Sequence, residues 1–207
     1  DRLTGLYSAG TARRKLGDWL GADDARVHAL LLVLGRFDSV NLAHGADAGD
    51  YALTEVARRI THFGQDEFAR DSWFAARIEG GKFLLATREE CSRERWQFLA
   101  EALADGIAQP LGGITVALPQ LWPHVALIRA LAGDDPAGVL GRLSDAQIAL
   151  RGEPGRRIVW IDREDTPAGM GAIQVEAELR RALDEGAVSL KFQPQFAMAD
   201  DAIIGAE

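Results

Sequence analysis

Residues 77–83 read Arg-Ile-Glu-Gly-Gly-Lys-Phe, and this stretch decides the fold. Apolar runs at 73–78 and 83–86 flank it and read as two strands. The Gly80-Gly81 pair between them is expected to supply the positive φ angles of a tight hairpin turn. A glycine pair in a turn is common by itself, so the weight of the reading falls on what surrounds it. Chemically, the notable residue is Lys82, a cation where the hairpin enters its second strand.

Upstream, Leu53, Val56, Ala57 and Ile60 form one apolar stripe of a helix that Asp47 is expected to cap and Gly64 to close. Before it, 27–34 is a continuous apolar run of strand length, which predicts a central strand covered on both faces. Residues 8–20 read as a helix entered through a Ser8 cap and ended by Gly21. Downstream, Thr87 and Glu90 are expected to form a capping box for a helix reaching about Ile107, with Trp96, Leu99 and Leu103 on one face. A strand is expected at 113–118, helices at 123–132 and 137–150, and a closing strand at 157–161. The order β-α-β-β-α-β with extra helices predicts an α/β (α+β) domain, a central mixed, mostly antiparallel sheet flanked by helices. That domain is expected to span 1–162. Pro167 and two glycines mark 163–171 as a linker. The remainder, 172–207, reads as a helix over 172–185 and a strand over 188–196.

The chain has 207 residues and a formal charge of -8, enough for one substantial core and a short appendage. An acidic balance argues against nucleic acid or an anionic membrane surface as the main partner, since both require a basic face. No apolar run approaches the roughly 20 residues of a membrane span. The lone Cys91 excludes an internal disulfide and fits a reducing compartment, so a cytoplasmic location is expected. The start at Asp1 and the stop at Glu207 suggest a piece of a longer protein.

The heptapeptide resembles the Arg-x-Gly-Gly-Asp-Glu-Phe signature of the GGDEF family of bacterial diguanylate cyclases, whose fold is like the palm of nucleotidyl cyclases. Three further stretches carry the likeness. Asp1-Arg2-Leu3-Thr4-Gly5-Leu6 is similar to the family's opening turn, Arg36-Phe37, Asn41, Gly45 and Gly49-Asp50 to its nucleotide-binding stretch, and Gly155-Arg156 to its closing pair. From residue 172 a second likeness begins. Residues 175–183 followed by Phe192-Gln193-Pro194 resemble the opening of an EAL phosphodiesterase, and Glu207 falls on the Glu that begins the EAL signature. By that resemblance Gln193 would touch cyclic di-GMP and Glu207 would bind a metal, but neither has a complete site in this chain.

The resemblance implies cyclisation of GTP with divalent metal held by carboxylates, because hard cations require oxygen ligands. The implied carboxylate positions are Val33 and Lys82 here, their acidic neighbours are Gly35 and Gly81, and the implied phosphate-contacting Lys is Asp38. Glu79, Gly80, Gly81, Lys82 and Phe83 are therefore a degenerate signature, and no catalytic residue, metal or cofactor is expected. Asn41 and Asp50 match positions that hydrogen-bond guanine, with Arg156 and Lys82 as candidate phosphate contacts. Asn before a glycine-rich turn and Asp in a first helical turn serve equally well as caps. Arg70 stands where the family's inhibitory Arg-x-x-Asp begins, with Trp73 in place of the Asp. The expectation is a non-catalytic regulatory domain, coupling an upstream sensor to its own EAL domain, with an allosteric GTP-binding module as the alternative. The apolar face of Val188, Leu190, Phe192 and Phe196 suggests that the tail pairs, for example with a second copy in a homodimer.

Overall fold

The structure is a computed structural model that describes residues 1–35, 37–111, 120–150 and 157–161, with 180, 181, 183, 186, 194–196 and 203–206. The chain divides into two compact units, Asp1–Asp162 and Arg163–Glu207. In the first, the elements are β1 (Tyr7–Ser8), α1 (Ala9–Leu20), β2 (Arg26–Gly35), α2 (Phe37–His44), α3 (Ala46–Glu67), β3 (Trp73–Glu79), β4 (Lys82–Thr87), α4 (Arg93–Ala108), β5 (Trp122–Leu131), α5 (Pro136–Leu150) and β6 (Ile158–Ile161). They build a six-stranded sheet in the order β1-β3-β4-β2-β5-β6. The inner pairs β3–β4, β4–β2 and β2–β5 are antiparallel, and the outer pairs β1–β3 and β5–β6 are parallel.

β2 takes its place from its composition. Its run Val27 to Leu34 is buried throughout, and alternate residues enter opposite clusters. Leu30, Leu32 and Leu34 join Leu53, Val56 and Ile60 of α3 and Trp96, Leu99 and Leu103 of α4. Ala29, Leu31 and Val33 join Leu16 and Leu20 of α1 and Val139 and Leu143 of α5. A strand hidden on both faces needs an apolar residue at every position, which is why the sequence shows no alternation there. α5 also reaches the backbone. The buried Gln147 amide donates to the carbonyls of Leu31 (2.7 Å) and His124 (2.8 Å), pinning the helix to β2 and β5.

Several local expectations are corrected. Residues 123–132 are not a helix: β5 covers 123–131 and pairs with β2 along ten residues, Arg26↔Leu131 to Gly35↔Trp122. Val125 and Leu127 face one cluster, and Ala126, Ile128 and Ala130 the other. Burial on both faces erased the period that separates strand from helix. The strand expected at 113–118 lies outside the described residues, as does the linker. Thr87 does not begin a capping box, because its hydroxyl donates to Ser72 O and accepts from Glu89 N. α4 is capped by Ser92, whose hydroxyl accepts from Arg95 N. α3 is entered from Gly45 with no side-chain cap, so Asp47 sits in its first turn without capping it. Gly64 does not end α3 either. It is buried within the helix, where an added Cβ would stand 2.4 Å from the Trp73 ring.

Arg59 of α3 finishes the neighbouring helix. Its guanidinium is held by Glu55 and donates to the carbonyls of Gly106, Ile107, Gln109 and Pro110, which the end of α4 leaves without helical partners. A different polar group lies in the core. His28 of β2 meets the Trp96 ring at a tilt, 5.7 Å between centroids, with the Glu89 and Cys91 backbones beside its imidazole.

In the second unit, β7 (Pro194–Phe196) and β8 (Ile203–Ala206) pair antiparallel, and Arg180, Arg181 and Leu183 are helical and exposed. β7 falls within the strand expected at 188–196. Val188, Leu190, Phe192, Gln193 and Glu207 lie outside the described residues. Among the described residues, no helix is long and apolar enough to cross a membrane.

Two measurements check this packing. Gly64→Ala forces the Trp73 indole off α3 and is expected to cost about 1–3 kcal/mol, read from the urea midpoint. Burial, and next the Arg129 charge, holds the His28 imidazole below its ordinary value. The unfolded chain then takes up that proton first, so stability is whole above about pH 6.5 and falls as pH drops below it. His28→Phe is expected to remove that part of the pH dependence, and an unchanged pH profile would refute the assignment.

Candidate functional site

The signature hairpin folds beside the end of β2. β3 and β4 pair from Trp73↔Thr87 to Arg77↔Phe83, and after a register shift Glu79 faces Lys82. Gly80 takes φ 47°, the left-handed conformation that favours glycine, whereas Gly81 does not have positive φ, so one residue and not two makes the reversal. Arg77 holds the turn from behind. Its Nε donates to Gly80 O at 2.9 Å, and its Nη1 reaches the Asp1 carboxylate at 3.5 Å. The same carboxylate accepts from Thr4 N and the Thr4 hydroxyl, so the opening turn and the signature hairpin are tied through one anion.

Val33 of β2 and Lys82 of β4 are direct partners in the ladder, so the two positions expected to be acidic are neighbours across strands. Val33 is 5% exposed and belongs to the apolar cluster against α1 and α5. Lys82 Nζ pairs with Glu79 Oε1 at 2.5 Å across the turn. The hydrogen bond from Lys82, then its charge, holds the Glu79 carboxyl below its ordinary value. Glu79 is thereby occupied by a cation already present in the hairpin.

The neighbouring positions have little room. Leu34 N donates to Gly81 O at 3.0 Å, drawing the hairpin against the end of β2. A Cβ on Gly81 would stand 3.2 Å from Leu34 Cβ and 3.3 Å from Phe37 Cβ. A Cβ on Gly35 would stand 2.9 Å from the Trp122 carbonyl oxygen and 3.2 Å from the His124 ring. Among the described residues, no group of three or more His, Cys, Asp and Glu is arranged to hold a metal ion.

Asn41 and Asp50 come together by a different route. α2, which the sequence reading did not separate from the loop before α3, carries Asn41 on an exposed face. Its carbonyl accepts from Gly45 N as the chain turns into α3. A Cβ on Gly49 would stand 1.8 Å from Asn41 Oδ1, so the carboxamide rests on the bare backbone one residue before Asp50. Both side chains are exposed, and neither makes a hydrogen bond among the described residues. The capping roles that competed for these residues are therefore not realised. Arg36 and Arg156 lie outside the described residues, and nothing is described of the Asp38 side chain.

Arg70 is exposed on the turn before β3, while Trp73 packs against Gly64 and stacks beside Phe68, 6.5 Å between centroids. The partly buried indole packs onto the core side of α3 while Arg70 stays on the surface, and both border one cleft beside β3. The Glu79–Lys82 pair was missed from sequence, although opposite charges three residues apart across a turn were the signal for it.

Comparison with known proteins gives these features a context. Residues 1–118 match the family described as "Diguanylate cyclase, GGDEF domain". The diguanylate cyclase SiaD of Pseudomonas aeruginosa, solved in complex with its activator SiaC, superposes with a TM-score of 0.67 at 21% identity, covering 78% of this chain and 61% of that one. The FimX GGDEF domain of the same organism superposes with a TM-score of 0.66 at 16% identity, covering 78% of this chain and 98% of that one. The GGDEF domain of DgcB from Caulobacter crescentus, in complex with c-di-GMP, gives 0.63 at 19% identity, covering 77% and 94%. These likenesses are of fold. Uncharacterised proteins of Mycobacterium tuberculosis and Mycobacterium bovis are 26% identical over the whole of this chain, which spans only 33% of their length. Since the family match takes in residues 1–118 of 207, the chain belongs to the GGDEF domain family of cyclic di-GMP signalling proteins.

Proposed function

We propose that this GGDEF domain is a non-catalytic, regulatory member of its family, which couples an upstream input to a downstream EAL phosphodiesterase domain. The observation that carries the reading is the ladder pair Val33↔Lys82. A hard divalent cation on a triphosphate needs carboxylate oxygens at close range. Here an apolar side chain and an ammonium occupy the two positions, and the Glu79 carboxylate of the same hairpin is paired with that ammonium. The residues present do not fit a metal centre. The close contacts at Gly35 and Gly81 support the same reading, since an acidic side chain at either would have to displace its neighbours.

The downstream partner rests on the resemblance of 175–183, Gln193-Pro194 and Glu207 to the start of an EAL domain; curated relatives about three times as long as this chain leave room for such a domain. The parent's phosphodiesterase activity and its sensor are part of the proposal.

A second reading, an allosteric guanine-nucleotide module, is favoured by the exposed, uncapped Asn41 and Asp50. An amide and a carboxylate suit the mixed donor and acceptor edge of guanine. Metal plays no part in it, and neither does the Glu79-bound Lys82.

The purified chain is expected to make no cyclic di-GMP from GTP and magnesium, by chromatography of the products. The Val33→Asp, Lys82→Glu double variant is expected to remain inactive, because the neighbouring positions are still Gly35 and Gly81 and supply no carboxylate. Product that scales with wild-type protein and disappears in Asn41→Ala would overturn the non-catalytic reading. For the second reading, titration calorimetry with GTP should give an affinity little changed by EDTA. Asn41→Ala and Asp50→Ala should each weaken it roughly 5- to 30-fold, the loss of one hydrogen bond to a polar or charged group. Binding that requires magnesium, or that survives both substitutions together, refutes it.

A further inference from the structure

We propose that His28 is a proton-operated latch: when its imidazole is protonated, Glu90, Cys91 and Ser92 leave the sheet, the first turn of α4 loosens, and the Cys91 thiol is uncovered. This device goes beyond the regulatory reading and does not depend on it. Among the described residues, the buried polar side chains are His28, Thr87 and Gln147, and His28 is the ionisable one. It is 1% exposed, at the centre of a row across the sheet that runs from Thr87 of β4 through His28 of β2 to Arg129 of β5.

The connection from β4 to α4 closes over this ring. The Trp96 indole meets it, and the Glu89 and Cys91 backbones lie beside it in contacts that favour the proton. Burial, and next the Arg129 guanidinium, outweigh those contacts, so the closed latch holds a neutral imidazole. The charges nearby leave an arriving proton without a counter-ion. Arg129 stands opposite the ring on β5, and Arg26 two residues before it on β2. Of the carboxylates, Glu89 is engaged by Ala69 N and the Ser72 hydroxyl, Glu90 by Arg26 at 3.5 Å, and Glu94 by its own backbone and the Ser92 hydroxyl. In the first turn of α4, Arg93 lies 4.7 Å from the Trp160 centroid, and the Arg95 charge acts on Cys91.

The fastenings mark the part that yields. Arg88 N donates to Ser72 O at 2.9 Å and Glu89 N to the Thr87 hydroxyl at 3.2 Å, so the chain is held as far as Glu89. Beyond it, residues 90–92 have no regular secondary structure. The Glu90–Arg26 pair is exposed and contributes little. Cys91 is half-buried against the core, and Ser92 is the cap of α4. A segment with so few bonds opens before the sheet does, with Glu89 as its hinge. Once it is open, water reaches the imidazole and the proton is no longer disfavoured.

Cys91 is the one cysteine of the chain, so its thiol reports the opening. The intact chain would be treated with dithiodipyridine, a disulfide reagent that stays active in acid, from about pH 7.5 to about pH 5, across the ordinary histidine range. Each rate is divided by that of the urea-unfolded chain at the same pH. The expected ratio is flat above about pH 6.5 and rises by up to about ten-fold per pH unit below it. It also exceeds the global unfolding constant from urea melts by at least about ten-fold, the mark of a local opening. His28→Gln should abolish the rise. Arg129→Gln, an exposed change that spares the core, should shrink it by removing the opposing charge. No rise in acid, an unaltered rise in either variant, or a ratio no larger than the global unfolding constant overturns the proposal.

Discussion

Strand β2 is flanked by strands on both edges and by helices on both faces, and the rest of the domain follows from that enclosure. Its run from Val27 to Leu34 lies almost wholly out of water. A polar group there must find a partner within the protein or cost a few kcal/mol. The sequence answers with an apolar run, interrupted once by His28, whose ring meets the Trp96 indole beside the Glu89 and Cys91 backbones. The same enclosure governs Val33. At the functional end of the strand, Val33 belongs to the α1–α5 cluster, and its cross-strand partner Lys82 turns its ammonium to Glu79. Charge is thus neutralised at the surface of the hairpin while the strand beside it stays apolar.

Contact distances carry more of the argument at this end than residue types do. Substituting a carboxylate into an open site restores a ligand at little cost, but substituting one into a filled site first requires the filling to move. Overpacking of a well-packed interior costs typically about 1–3 kcal/mol. Gly35 is a filled site in this sense, closed by Trp122 and His124, whereas Gly81 is a tight one, where Leu34 and Phe37 would have to give by a few tenths of an ångström. Gly49 is a close approach of the opposite kind, since its bare backbone is what seats the Asn41 carboxamide.

The legible parts of the fold were those with a strong local signal: the β2 run, the α3 stripe, and the hairpin at 77–83. β5 was read as a helix because two-sided burial makes every position apolar, and an apolar run has no period to measure. Gly64 was read as a stop because glycine ends many helices, but its role is set by Trp73, nine residues along the chain and on another element. Thr87 failed as a cap for a similar reason: Ser72 claims its hydroxyl from across the hairpin. At the candidate site, identity was legible and pairing was not. The sequence placed Val33, Lys82, Asn41 and Asp50 in one constellation, yet whether Lys82 was free and whether Asn41 was a cap depended on contacts that only the folded chain supplies.

Helix α3 joins the Asn41–Asp50 end of the domain to the β3 end of the sheet. Its first turns carry Gly49 and Asp50 beside Asn41, and its last turns carry Thr61 and Gly64, the latter beneath Trp73. At 1.5 Å of rise per residue, Asp50 and Thr61 stand about 16 Å apart along one rod. The rod resists bending at its C-terminal end because Trp73 is wedged onto Gly64, and Arg59 fastens its middle to the end of α4 through four carbonyls. An element so held transmits a shift as a whole or not at all. A ligand that prefers one position of α3 can shift the helix by no more than that preference, which bounds any coupling between its two ends. A displacement of that kind is an output that needs no chemistry.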